Sequence, residues 1–198
     1  MNISQGLLPF HLIQDTSKVL PISFGGLPLV METFRALGFP QAIEKRLPLL
    51  QRPGKYREAD YVESFVSVFA DGGDCVDDFE ILRQDEGLKK LGLRIPSPEA
   101  ARHFLNAFHE EEFLQSRLPH QAFIPEETEW LEGLAAGQRD LIQKAILEEQ
   151  PWKATIDLDA TVIESHKQQA YWTYLQEKGY QSLIAYCAEQ DMILADQF

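Results

Sequence analysis

Cysteine is scarce in this chain. Cys75 and Cys187 are its only two, far apart in sequence, with no C-x-x-C pair and no disulfide framework. That excludes a cysteine-built zinc site and suits a reducing compartment. Long apolar runs are missing too, and none approaches the roughly 18 residues of a spanning helix. The start, Met1 to Pro9, lacks the basic stretch of a signal peptide. Together these predict a soluble, cytoplasmic protein with no membrane partner.

Basic residues are also short: 18 against 31 acids, a net charge of −13. That excludes a simple nucleic-acid coat, which needs a basic surface. Absent as well are the G-x-x-x-x-G-K-[ST] loop, the G-x-G-x-x-G fingerprint and the G-x-S-x-G elbow. The five histidines show no ligand spacing.

Against this background one basic block stands out. Lys45 to Arg57 carries Lys45, Arg46, Arg52, Lys55 and Arg57 with no acid among them. It reads either as a phosphate-contacting turn or as a solvated linker. A hydrophobic share of 44% with 25% charged residues is that of a globular chain long enough to bury a core.

Residues 1–25 read as irregular, interrupted by Pro9 and Pro21. From 26 to 150 the apolar period is helical. A first helix covers Leu27 to Leu37 with Leu29, Val30, Phe34 and Leu37 on its inner face. The next opens at Pro40 and uses Ala42, Ile43 and Leu47. A third, Glu58 to Phe69, carries the stripe Tyr61, Val62, Phe65, Val66 and Phe69. One or two short helices between Val76 and Leu91 bury Phe79, Ile81, Leu82, Leu88 and Leu91. Ser97-Pro98-Glu99 then opens a helix with an N-cap, a proline at the first helical position and an acid in the first turn. A last helix runs from about Glu127 to Glu149, with Trp130, Leu131 and Leu134 inside.

After Pro151 the period alternates. Lys153 to Ile163, Gly179 to Cys187 and Met192 to Ala195 read as strands of a meander filling 151–198. Trp152 and Trp172, on either side of the first strand, read as packing anchors. The fold class expected is α+β: a helical N-terminal lobe followed by a β-meander.

The first strand contains Ile156-Asp157-Leu158-Asp159-Ala160-Thr161. Alternation places Asp157 and Asp159 on one side and Ile156, Leu158 and Ala160 on the other. Two such carboxylates repel unless a cation, a proton or a base lies between them. The pair reads as a ligand set for a hard divalent ion or as a solvated acidic face. The motif resembles the first motif of haloacid-dehalogenase-type phosphohydrolases. That likeness implies Asp157 as nucleophile and Asp159 as general acid/base, and leaves residues 1–150 without a role.

A second resemblance covers nearly the whole chain. It runs through Gly72-Gly73-Asp74-Cys75-Val76-Asp77-Asp78-Phe79, Ser97 to Phe108, Asp159-Ala160-Thr161-Val162-Ile163-Glu164-Ser165-His166-Lys167 and Lys178-Gly179-Tyr180-Gln181. On these the chain resembles bacterial insertion-sequence transposases of the DDE superfamily, whose catalytic domain is ribonuclease-H-like. The resemblance implies Asp159 as the first catalytic, metal-binding carboxylate, with Asp157 assisting. It implies Mg²⁺ or Mn²⁺ as cofactor, with two ions about 3.5–4 Å apart cutting and joining DNA strands. Element-end DNA and another transposase chain are the partners implied, and the basic block the DNA contact. The family's second Asp and its Glu would follow position 198. A truncated transposase, inactive by itself, is therefore expected; a non-catalytic helical interaction or regulatory protein is the other alternative.

Overall fold

The computed structural model describes residues 24–50, 54–109, 127–149, 153–167, 170–173 and 175–197. All but two residues of the segment 1–25 lie outside that range. The chain forms two compact units. One contains the described residues up to His109 together with Glu129–Gly137; the other contains Glu127, Thr128 and those from Gln138 onward.

The first unit is helical: α1 (Leu27–Ala36), α2 (Phe39–Arg46), α3 (Glu58–Ala70), a 3₁₀ turn (Val76–Asp78), α4 (Phe79–Gln84), α5 (Glu86–Lys90) and α6 (Pro98–Asn106). Helix α7 (Glu129–Glu149) follows. Gly38 separates α1 from α2 by adopting φ 75°, a left-handed conformation that any side chain would resist. Ser97 caps α6 as its chemistry dictates, its hydroxyl accepting the Ala100 N–H at 3.2 Å.

The core is built from Leu27, Met31, Val68, Phe79, Leu82, Leu88, Leu93, Ile95 and Ala101. Aromatic contacts tie α3 to its neighbours. Tyr61 stacks on Phe104 of α6 at 4.5 Å, and Phe65 meets Phe79 of α4 edge-on at 4.9 Å.

Several inner-face expectations are corrected. In α1 the buried residues are Leu27 and Met31, whereas Leu29 and Val30 are exposed. Ile81, Leu91 and Leu131 are exposed as well. In α3 the expected stripe is only half-buried, and Phe69 at its end is 65% exposed. The most deeply buried side of α3 is instead polar: Asp60, Glu63, Ser64 and Ser67, with Ala59 and Val68.

That polar side is fully engaged. Asp60 accepts the Arg57 N–H at 2.9 Å and pairs with Arg94 at 3.1 Å. Glu63 pairs with Arg35 of α1 at 2.9 Å. Ser64 and Ser67 donate to the carbonyl oxygens of Asp60 and Glu63, one turn back. The Ser67 hydroxyl also lies 3.0 Å from the Met31 sulfur. Burial raises the Glu63 pKa above its ordinary 4.5, although the Arg35 charge and hydrogen bond pull it down.

Gly133 and Gly137, one turn apart on α7, lie against α2. A Cβ on Gly133 would stand 2.2 Å from the Arg46 carbonyl oxygen, and one on Gly137 2.9 Å from Ile43 Cδ1. The helices touch backbone to backbone.

The second unit contains β1 (Ile156–Glu164), β2 (Tyr171–Trp172), β3 (Lys178–Cys187) and β4 (Met192–Gln197) in one antiparallel sheet. Strand β3 is central. It pairs with β1 from Ile156↔Cys187 to Glu164↔Gly179 on one side. On the other side it pairs with β2 at its start and β4 at its end, with a bulge between Ala185 and Tyr186. The two-residue β2 carries too short a pattern to read from sequence. Trp172 is not a packing anchor: it is 67% exposed, with the Lys178 ammonium 5.9 Å from its ring. Trp152 lies outside the described residues. No helix among the described residues is long and apolar enough to cross a membrane.

Two predictions follow from the packing of α3 and α7. Gly→Ala in a helix normally stabilises by about 1 kcal/mol. At Gly133 the sign should reverse, with Gly133→Ala lowering stability by about 1–3 kcal/mol because backbone blocks the added methyl. Denaturant melts of the two proteins decide it, and a stabilised variant would refute the close contact. For Glu63, a folded pKa above the unfolded one means the folded chain holds the proton more tightly. Its stabilisation is present below the ordinary carboxyl range and is lost as pH rises through the raised value. Glu63→Gln should flatten the stability-versus-pH curve across that window; an unchanged slope would show that Glu63 does not titrate there.

Candidate functional site

The sheet puts Asp157 and Asp159 on one face of β1, as strand alternation requires. Register gives that face its other members. Asp157 lies opposite Tyr186, Asp159 opposite Ile184, Thr161 opposite Ser182 and Ile163 opposite Tyr180. Beyond Ile184 the next residue in register is Asp196 of β4, a third carboxylate on this face that sequence reading missed. Two strand spacings separate Asp159 from Asp196, about 10 Å. The third strand was expected to stop at Ala195, which hid this partner.

Both aspartates of β1 are exposed. The Asp159 carboxylate accepts its neighbour's backbone N–H, from Ala160, at 2.9 Å. Tyr186 beside Asp157 donates its hydroxyl proton to Asp191 at 2.5 Å. That bond raises the phenol's pKa, aided by the nearby charges of Asp191 and Asp157. The opposite face of β1 carries Ile156 and Leu158, also exposed.

Two bonds to the turn after β3 fix where β1 begins. The Thr155 N–H and hydroxyl both donate to the Glu189 carboxylate, at 2.5 and 2.7 Å. These bonds, led by the backbone one, hold the Glu189 pKa down. Gly179 is obligatory at the far end of the ladder, because a Cβ there would stand 2.3 Å from the Ile163 carbonyl oxygen.

No third donor atom comes within binding reach of the Asp157–Asp159 pair among the described residues. The one three-donor grouping there is Asp74, Cys75 and Asp78. It is a turn already satisfied by the chain: Asp78 accepts the N–H groups of Asp74 and Cys75 at 3.0 and 3.1 Å. Those bonds lower the Asp78 pKa, the Cys75 one most.

The basic block separates into parts. Lys45 and Arg46 lie exposed at the end of α2. Arg52 lies outside the described residues. Arg57 is spent on structure, pairing with Glu44 at 2.6 Å and approaching Asp60 at 3.6 Å. Lys55 is exposed, its ammonium 5.1 Å from the Tyr56 ring centroid. Of the described histidines, His103 and His109 are exposed, as expected for solvated side chains.

No known family, no curated protein and no solved structure matches this chain.

Proposed function

We propose that this chain carries the helical lobe and first catalytic strands of a DDE-type DNA transposase. In this reading Asp159 is the first metal-binding carboxylate and Asp157 its assistant. The observation that carries it is the antiparallel sheet in which β1 presents Asp159 at mid-strand, on an open face, beside the central strand β3. A haloacid-dehalogenase-type reading calls for a parallel βαβ sheet around the same motif, and the antiparallel register speaks against it.

The chemistry asked of Asp159 is to hold one of two Mg²⁺ or Mn²⁺ ions that activate the attacking oxygen and stabilise the leaving one. Carboxylate oxygens suit such ions, and an open strand face admits a phosphodiester. Asp157 and Asp159 alone cannot hold two ions. Strand cleavage therefore needs further carboxylates, and Asp196 lies too far along the face to join Asp159 on one ion. Lys45 and Lys55 are exposed cations of the basic block suited to DNA phosphates, whereas Arg57 is held by Glu44 and Asp60.

The test uses the longest reading frame that contains these residues, assayed for cleavage of its element-end DNA in Mg²⁺. Asp159→Asn should lower cleavage more than about 100-fold, beyond what outer-shell partners of a metal cost, while DNA binding stays unchanged. Asp157→Asn should cost less. Full cleavage by Asp159→Asn would end the proposal. Cleavage lost together with DNA binding would assign Asp159 a structural part instead.

A further inference from the structure

In a chain of net charge −13, one cleft of about 390 Å³ in the helical unit gathers four cations: Lys55, Arg83, Lys89 and Arg94. Tyr56 lines it too, and Glu80 is the one carboxylate in its wall. The floor includes Leu82 and Leu93, both buried, so the charges stand over a low-dielectric base.

Arg94 is fixed before any ligand arrives. The buried Asp60 carboxylate pairs with it at 3.1 Å, and its guanidinium donates to the Lys55 carbonyl oxygen. The same guanidinium lies 5.7 Å from the Tyr56 ring centroid, and the Lys55 ammonium lies 5.1 Å from it. Two cations thus crowd one aromatic ring. Among the described residues Arg83 and Lys89 pair with Glu80 and Glu86, three residues back on their own helices and partly open to solvent. Pairs of that kind are worth little and give way readily to a stronger anion. Counting Glu80, Glu86 and Asp60 against the four cations, the cleft keeps a net positive charge.

We infer that this cleft binds a phosphate group. A phosphate carries close to two charges and enough acceptor oxygens to engage several cations, and planar guanidinium groups match it. The volume lies at the small end for ligand sites and suits one phosphate with part of what it is attached to. The group can come from a free phosphate or phosphomonoester, or from a nucleic-acid backbone. The inference does not depend on the role of Asp159, and cleavage assays leave it untouched.

Calorimetric titration of the purified chain, first with inorganic phosphate and then with a short single-stranded DNA, tests it. Lys55→Gln and Arg83→Gln should each weaken binding about tenfold, the worth of one charge-assisted bond. Lys90→Gln removes an equal charge from α5 outside the cleft and should change nothing; circular dichroism confirms that each variant is folded. Phosphate binding with that pattern identifies a free-phosphate site. DNA binding alone with the same pattern identifies a backbone contact. Binding of neither probe, unaltered binding by both cleft variants, or an equal loss in Lys90→Gln overturns the assignment.

Discussion

Burying charge on α3 is the constraint that organises the helical unit. Asp60 and Glu63 are nearly removed from water, and a buried carboxylate without a partner costs several kcal/mol. Each is therefore met by an arginine from another segment, Arg94 for Asp60 and Arg35 for Glu63. These pairs fix which way α3 is turned, because rotating the helix by one residue would strand both acids. At Glu63 the raised pKa shows that desolvation outweighs the pairing. The pair is better understood as setting orientation than as a source of stability.

This explains what sequence could and could not disclose. The Ser97 cap and the change of period after Pro151 are local chemistry, and the helices and strands stand close to where that chemistry puts them. The inward side of α3 is different. Tyr61 and Phe65 do pack, against Phe104 and Phe79, but α3 is enclosed on several sides and its polar side is enclosed most. Only the arrival of Arg35 and Arg94, each about 30 residues away, makes that side burial-competent, and no local period encodes it. The same holds at the acidic face. Asp157 and Asp159 announce themselves by alternation, whereas Asp196 joins them only through register and the bulge at Ala185 and Tyr186.

Charge is gathered locally, acidic on one strand face and basic in one cleft. The open face of β1 carries Asp157 and Asp159, while one cleft of the helical unit gathers Lys55, Arg83, Lys89 and Arg94. Net charge alone hides this, since a chain of −13 can still offer a local positive field. Arg94 belongs to both themes: one side of its guanidinium neutralises a buried acid, and the other side faces the cleft.

The glycine contacts of α7 carry a consequence for how the chain folds. Gly133 and Gly137 sit on Arg46 and Ile43, residues about ninety positions earlier, whereas α1 to α6 make their contacts over much shorter loops. Closing so long a loop costs entropy that only an already formed α2 can repay, so α7 docks late. During synthesis Ile43 waits for its cover until the segment around Gly137 has left the ribosome. Until then that patch of α2 is an adhesive surface, and growing chains are most exposed to mispairing in that interval.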